Sequence, residues 1–297
     1  MDADLKQKLL ERYKRKIKYA GRQHPLIRLV RKIAGNGHDG DERLIAAEGL
    51  WAHGKLIETG MDISCMVVCP ELLYSAEALE VAGKCMDKAA EIYIVSQKLF
   101  GRLSGRDRPD GLISLVRLPD WTAGSFKPGK DASIVVLDGL ENPGNIGTIL
   151  RTCDGAGVDA VFICNRRARL TGPKLVKASM GAIFSVPVIE FGDARQCINW
   201  LKARNFSIYL ADAKAARTYR EPGYEGNTAL VLGCERYGIS GEWYSCGPEA
   251  ISIPMMGICD SLNAGVAASV VIYEICMKKQ QRMCIYHGIQ KKGIRRR

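Results

Sequence analysis

The stretch ASIVVLDGLENPGNIGTILRTCDGAG, residues 132–157, decides the fold class. Its first nine residues are almost continuously apolar, the pattern of a strand covered on both faces of a sheet. A Gly/Asn/Pro turn follows, and 143–157 has helical periodicity. The same alternation continues downstream. Strands are predicted at 160–164, 185–191, 207–212, 228–235 and 250–253, and helices at 173–181, 193–204 and 261–279. Strands alternating with helices imply a parallel α/β sheet over 132–282. No internal repeat is visible.

Upstream, 4–19 reads as a basic amphipathic helix with Leu5, Leu9, Tyr13 and Ile17 at helical spacing. His24-Pro25 interrupts it. A short helix is predicted at 26–33, a turn-rich loop at 35–42 and a helical pattern at 43–57. Strands are predicted at 61–70 and 91–97, and a polar turn cluster within 98–113. The Pro/Gly-rich run LPDWTAGSFKPGKDA has no period and reads as a linker. The expected organisation is a basic helical arm at 1–20, a smaller αβ domain at 21–118, a linker at 119–131, the α/β domain at 132–282 and a basic tail at 283–297.

With 47% hydrophobic and 25% charged residues over 297 positions, the chain has ample material for a core and is not disorder-like. No apolar run is long enough for a membrane span, and the N-terminus lacks a secretory stretch, so a cytoplasmic location is expected. The net charge of +11 is unevenly placed. Residues 1–32 hold eleven Lys/Arg against three acids, and 277–297 hold eight and no acid, leaving the middle mildly acidic. Basic ends on an acidic body favour a polyanion partner such as nucleic acid over a membrane surface. The eleven cysteines are odd in number, irregular in spacing and without a CxxC. They read as reduced, small core residues rather than a disulfide framework. Cys65 and Cys69, with His53 or Cys85, fit no common four-ligand zinc pattern, so no metal is expected.

Three predicted post-strand loops have unusual composition: 137–157, LVLGCERYGIS (230–240) and ISIPMMGICDSLNAGVA (251–267). Ligands of open parallel sheets bind at the carboxyl ends of strands, and glycine lets backbone approach a ligand closely. Each loop alone has a plain structural reading: a strand-to-helix turn at Gly144–Gly147, a solvated ion pair at Glu235–Arg236, a helix cap at Ser261. Their occurrence together after strands of one sheet argues for a ligand site. The spacing of Gly139, Gly144 and Gly147 is not that of a dinucleotide fold. P-loop, HExxH and GxSxG motifs are absent.

The order ENPGNIGTILRT, LGCERYG, IPMMGICDSLN resembles the three signature motifs of the SpoU/TrmH family, RNA ribose methyltransferases of the SPOUT superfamily that use S-adenosylmethionine. The segments HPLIRLVRKI, IAAEGL and LSGRDRPDGL more weakly resemble the ribosomal-protein-like substrate-binding domain of its two-domain rRNA members, some of which confer antibiotic resistance. The resemblance implies a deep trefoil knot in the C-terminal domain, a homodimer, and methylation of a ribose 2′-hydroxyl, with rRNA expected because of the large N-terminal domain. By this resemblance Asn145 and Arg151 face the ribose and phosphate, Glu235 fixes the first-motif loop, and Ser261 and Asn263 are the polar pair of the third motif. Leu232, Gly233, Ile253, Met255 and Leu262 hold the cofactor. Ala264-Gly265 stands where the family usually has Val-Ser.

Arg151 is the family's usual nominee as base, but a guanidinium stays protonated in proteins. Binding of the adjacent phosphate and stabilisation of a developing alkoxide is the expected role. The alternatives are a tRNA 2′-O-methyltransferase and a non-catalytic RNA-binding or ribosome-assembly factor of the same fold.

Overall fold

A computed structural model describes residues 2–35, 37 and 43–294. In chain order the elements are α1 (Asp2–Arg12), β1 (Ile17–Tyr19), α2 (Pro25–Ala34), β2 (Leu44–Glu48), α3 (Leu50–Glu58), β3 (Ile63–Val68), α4 (Ala76–Lys88), β4 (Ala89–Ile94), α5 (Gln97–Leu103) and β5 (Leu112–Arg117). They continue with β6 (Ser133–Asp138), α6 (Pro143–Ala156), β7 (Ala160–Cys164), α7 (Pro173–Ser179), α8 (Ala182–Ser185), β8 (Val188–Glu190), α9 (Ala194–Lys202), β9 (Ser207–Ala211), β10 (Thr228–Gly233), α10 (Gly241–Tyr244), β11 (Glu249–Ile251) and α11 (Ala264–Ile294). Two units result. One runs to Pro119 and takes in 169–185; the other comprises 120–168 and the chain from Val186 on.

The first unit holds a mixed sheet in the order β1-β4-β3-β5-β2. Its sequence reading missed α4 and β5 and needed three corrections elsewhere. The helix expected over 4–19 stops at Arg12, and Ile17–Tyr19 instead pairs parallel with Ile92–Ile94. Tyr13 ends the helix by donating its hydroxyl to the Gly83 carbonyl at 3.0 Å and the Asp87 carboxylate at 2.6 Å, and the run Lys14-Arg15-Lys16 follows as a turn. The helical pattern at 43–57 divides into β2, paired antiparallel with β5, and α3. Gly49, at φ +96°, turns the chain between them. The polar cluster within 98–113 contains most of α5, whose cap Ser96 accepts from the Leu99 amide.

The segment 169–185, read from sequence as part of the second domain, belongs by contact to the first unit. Gly181 explains the closeness. A Cβ there would lie 3.0 Å from Lys55 Cβ and 3.1 Å from the Trp51 ring.

The second unit is a six-stranded parallel sheet in the order β11-β9-β10-β6-β7-β8. β6, fully buried, lies between β10 and β7, as its continuous apolar run implies. One face packs an aromatic cluster of Phe162, Phe191, Trp200 and Phe206. The expected linker is partly anchored there: Phe126 packs on Phe162 and Trp200, and Trp200 Nε1 donates to the Ala123 carbonyl at 3.0 Å. On the other face α11 lies against α6, where Thr152 Oγ1 and Ser269 Oγ are 2.8 Å apart.

Much of the terminal charge is structural. Lys279, 5% exposed, donates to the carbonyls of Asp131, Ala132 and Gly226 at 2.8–3.0 Å. Its burial pulls the amine below the ordinary lysine range. Lys278 donates to the Arg220 and Pro222 carbonyls, and Arg282 to those of Gly223 and Tyr224. The side chains of Lys291, Lys292 and Arg295–Arg297, and with them the basic tail, lie outside the described residues. In the N-terminal arm Lys8, Arg12, Lys14 and Lys18 pair with acids. The side chains of Arg15, Lys16 and Arg22 are exposed and bond no described residue. No described helix is long and apolar enough to cross a membrane.

Candidate active site at the carboxyl ends of the sheet

Because the second sheet is wholly parallel, the loops after β6, β10 and β11 emerge from one edge of it. Each is shaped by its own residues. After β6, Asn142 caps α6: its Oδ1 accepts from the Gly144 amide at 2.9 Å, and Pro143 opens the helix with φ already set. This start projects Asn145 from the first turn. After β10, Gly233 leads into a tight turn closed by Cys234 N to Gly238 O at 3.0 Å and Gly238 N to Cys234 O at 2.8 Å. A Cβ on Gly233 would lie 2.3 Å from the Gly238 and Ile239 backbone, so only glycine closes this turn. After β11, residues 253–262 make no hydrogen bond through the backbone to a described residue. Asn263 then caps α11, its Oδ1 accepting from the Gly265 amide at 2.9 Å and the Val266 amide at 3.4 Å.

The three loops meet through side chains. Asn145 Nδ2 donates to Glu235 Oε1 at 2.5 Å, and Asn263 Nδ2 donates to Asn145 Oδ1 at 3.3 Å. Asn145, Glu235 and Asn263, one residue from each loop, thus form a chain of contacts that fixes both ends of the Asn145 amide. Behind it lies a cavity of about 470 Å³. Leu232, Gly233, Ile253, Met255 and Leu262 all line it, together with Glu235, Ser261 and Asn263. Ser261 is exposed and reaches the Asp260 carboxylate at 3.4 Å. Asp212, also in the lining, accepts from Tyr244 Oη at 2.8 Å. Burial and that carboxylate push the phenol up to about 12, so Tyr244 remains a donor.

Arg151 stands apart from the cavity lining. It sits six residues beyond Asn145 on α6, roughly 9 Å along the axis, exposed and bonded to no described residue. At the Ala264-Gly265 departure, a Cβ on Gly265 would meet Asn263 Oδ1 at 3.3 Å and Thr148 Cγ2 at 3.4 Å, and Ser269 donates to the Gly265 carbonyl at 2.8 Å.

Three residues of the architecture were not singled out from sequence: Asp138, Asn142 and Asn165. Asp138, 2% exposed, accepts from Asn165 Nδ2 at 2.7 Å and the Ser240 amide at 2.8 Å. It thereby ties the ends of β6, β7 and β10. A lone acid closing an apolar strand was the available signal. The weighed metal cluster resolves into packing. His53 Nδ1 donates to the Gly49 carbonyl at 2.8 Å and its Nε2 accepts from Ser114 Oγ at 2.8 Å. Burial pushes the thiols of Cys65, Cys69 and Cys85 up to about 12. Among the described residues no group of three or more His, Cys, Asp or Glu is placed to hold a metal.

Residues 132–273 match the SpoU rRNA Methylase family. A Staphylococcus epidermidis protein named for the TrmH family of tRNA/rRNA methyltransferases is 41% identical over 155 residues, 52% of this chain and 62% of that protein. The chain thus spans about three fifths of the length of the curated relatives it matches. A crystal structure of an RNA 2′-O ribose methyltransferase superposes with a TM-score of 0.74 at 28% identity, covering 89% of this chain and 99% of the other. An AdoMet-bound rRNA methyltransferase from Sinorhizobium meliloti has the same fold, with a TM-score of 0.78 at 23% identity, covering 88% and 97%.

Proposed function

Because residues 132–273 form a domain of the SpoU methylase family, we propose that this protein transfers a methyl group from S-adenosylmethionine to a ribose 2′-hydroxyl of RNA, with rRNA as substrate. The observation that carries the reading is Asn145, from the loop after β6, held between Glu235 and Asn263, which belong to the two loops that line the cavity.

The residues present fit the cofactor. The cavity has the volume of a small-molecule site and mostly apolar walls suited to a purine. The backbone groups of 253–262 are uncommitted within the described protein and available to a polar ligand. Leu232, Ile253, Met255 and Leu262 would hold the adenine end, with Gly233 giving backbone access. Bound S-adenosylmethionine supplies a sulfonium methyl whose sulfur leaves as a neutral thioether.

The chain's own residues position the acceptor. Asn145, its amide fixed at both ends, orients the ribose. Arg151 remains protonated, holds the neighbouring phosphate by a forked contact and stabilises negative charge growing on the 2′-oxygen. Water or a phosphate oxygen takes the proton. RNA selection falls to the first unit, aided by Arg15, Lys16 and Arg22. The same family reading carries to this chain a trefoil knot, a cytoplasmic location and a homodimer. Val266, Tyr273 and Met277, exposed at helical spacing along α11, suit the contact with a second copy.

The test is incubation with methyl-labelled S-adenosylmethionine and total RNA. Label in one alkali-resistant dinucleotide of rRNA is expected. Label confined to tRNA would replace the substrate, and no label in any RNA would remove the activity.

A further inference from the structure

The turn from Cys234 to Gly238 has a second side. Cys234 and Gly238 line both the cavity described above and a separate cleft of about 410 Å³ that opens at the ends of β6, β7 and β10. Two backbone strands of one tight turn, hydrogen-bonded to each other, are the partition between them. Paired strands lie only about 5 Å apart, less than the rise from one nucleotide to the next in an extended strand.

The floor of this cleft is bare. Gly139 and Asn165, at the ends of adjacent strands, both have left-handed backbone, at φ +66° and +52°. For a non-glycine residue that conformation has a cost, and Asn165 is held in it by its bond to buried Asp138. A Cβ on Gly139 would find its nearest neighbour 3.9 Å away, so the floor is open where a side chain could have filled it.

The lining carries one aromatic ring, two guanidinium groups and one exposed carboxylate, those of Tyr237, Arg166, Arg167 and Glu141. Tyr237 is 72% exposed, and the Arg236 guanidinium lies 5.2 Å from its ring centroid. With that cation on one side and most of the ring still reaching solvent, the other face is open. Its hydroxyl bonds no described residue. Arg167, at the mouth, is exposed and without a described partner, while its neighbour Arg166 pairs with Glu190 at 3.2 Å. An open aromatic face and an uncommitted guanidinium lining one cleft are the combination that stacks a nucleobase and takes its phosphate.

We propose that this cleft binds a nucleobase of the RNA strand within one nucleotide of the methylated ribose, with Tyr237 as the stacking platform and Arg167 as the phosphate contact. The proposal rests on the methyltransferase reading for the identity of the neighbouring cavity. Tyr237 and Arg167 are positioning residues: they fix the strand so that one ribose reaches Asn145.

Binding of a fluorescein-labelled oligoadenylate, followed by anisotropy at fixed salt, tests the cleft without requiring methyl transfer. Tyr237→Ala should weaken binding roughly tenfold or more, and Tyr237→Phe should stay within about twofold of the parent, because the ring and not the hydroxyl does the stacking. Arg167→Ala should weaken binding and lower the slope of log affinity against log salt by about one. Both alanine variants should bind S-adenosylmethionine, by calorimetry, as the parent does. Parental oligoadenylate binding by Tyr237→Ala, or an equal loss in Tyr237→Phe, overturns the proposal even if rRNA is methylated. If the Tyr237 pattern holds while the parent methylates no RNA, the cleft stands and the methyltransferase reading falls.

Discussion

Asn145 and Glu235, ninety positions apart in the chain, are joined by a single side-chain hydrogen bond at 2.5 Å, and Glu235 belongs to the lining of the cavity. The bond fixes which way the Asn145 amide points, because its Nδ2 can serve Glu235 only while its Oδ1 accepts from Asn263. Glu235 is exposed and Asn145 only partly buried, so the contact organises the site far more than it stabilises the fold.

Replacing Glu235 should therefore separate activity from stability. Glu235→Ala is expected to lower kcat/KM on RNA by about ten- to a hundredfold, the range for losing a hydrogen bond to a charged group. Unfolding free energy should move by no more than ~0.5 kcal/mol. Glu235→Gln, which still presents an acceptor, should keep most of the activity. Single-turnover methylation alongside urea denaturation reads both quantities.

Arg151 gives a second separation. If its forked guanidinium contacts a phosphate, Arg151→Lys keeps the charge but loses the geometry, and turnover should fall by about tenfold or more while S-adenosylmethionine affinity is unchanged. Near-parental turnover in the lysine variant would leave only a point-charge role.

At Gly233 the constraint is steric. A methyl group 2.3 Å from the Gly238–Ile239 backbone cannot be absorbed without opening the turn. Gly233→Ala should cost about 1–3 kcal/mol of stability. It should also weaken S-adenosylmethionine binding about tenfold or more, because this turn forms one wall of the cavity. Calorimetric titration and thermal unfolding of the same preparation test the two parts.

His53 predicts a pH dependence confined to the first unit. Burial draws its pKa from 6.5 to about 4, so the folded ring is neutral where the unfolded one begins to protonate. Between those values the unfolded chain binds more protons, and stability falls as pH drops from 6.5 towards 4, by about 3 kcal/mol in all. His53→Gln should flatten that slope. Urea midpoints at pH 7 and pH 4.5 would show it, and parallel slopes in the two proteins would contradict it.

The parallel sheet of the second unit was legible because buried strands and amphipathic helices differ plainly in period. The three loops were legible because glycine, asparagine and proline cluster only after certain strands. The first unit was harder. Leu44–Glu48 and Leu50–Glu58 run together as one helical pattern, since Ala46, Ala47 and Glu48 carry little strand preference and pairing with β5 overrides it. Asp138 could not be ranked above other acids without knowing that Asn165 and Ser240 turn towards it. The terminal charge misled for a related reason. A sequence counts Lys278, Lys279 and Arg282 as free cations, whereas backbone carbonyls, invisible in composition, occupy all three.

Lys279 also sets a timetable for the molecule's birth. The carbonyls of Asp131 and Ala132 that it satisfies leave the ribosome about 148 residues ahead of it. At ordinary rates of elongation that delay is on the order of ten seconds. Throughout it the root of the central strand lacks its ammonium latch, and the helix that closes the donor pocket does not yet exist. A growing chain thus cannot complete the cavity until α11 has been made, because Ala264, Ala267 and Val271 of that helix form part of its lining.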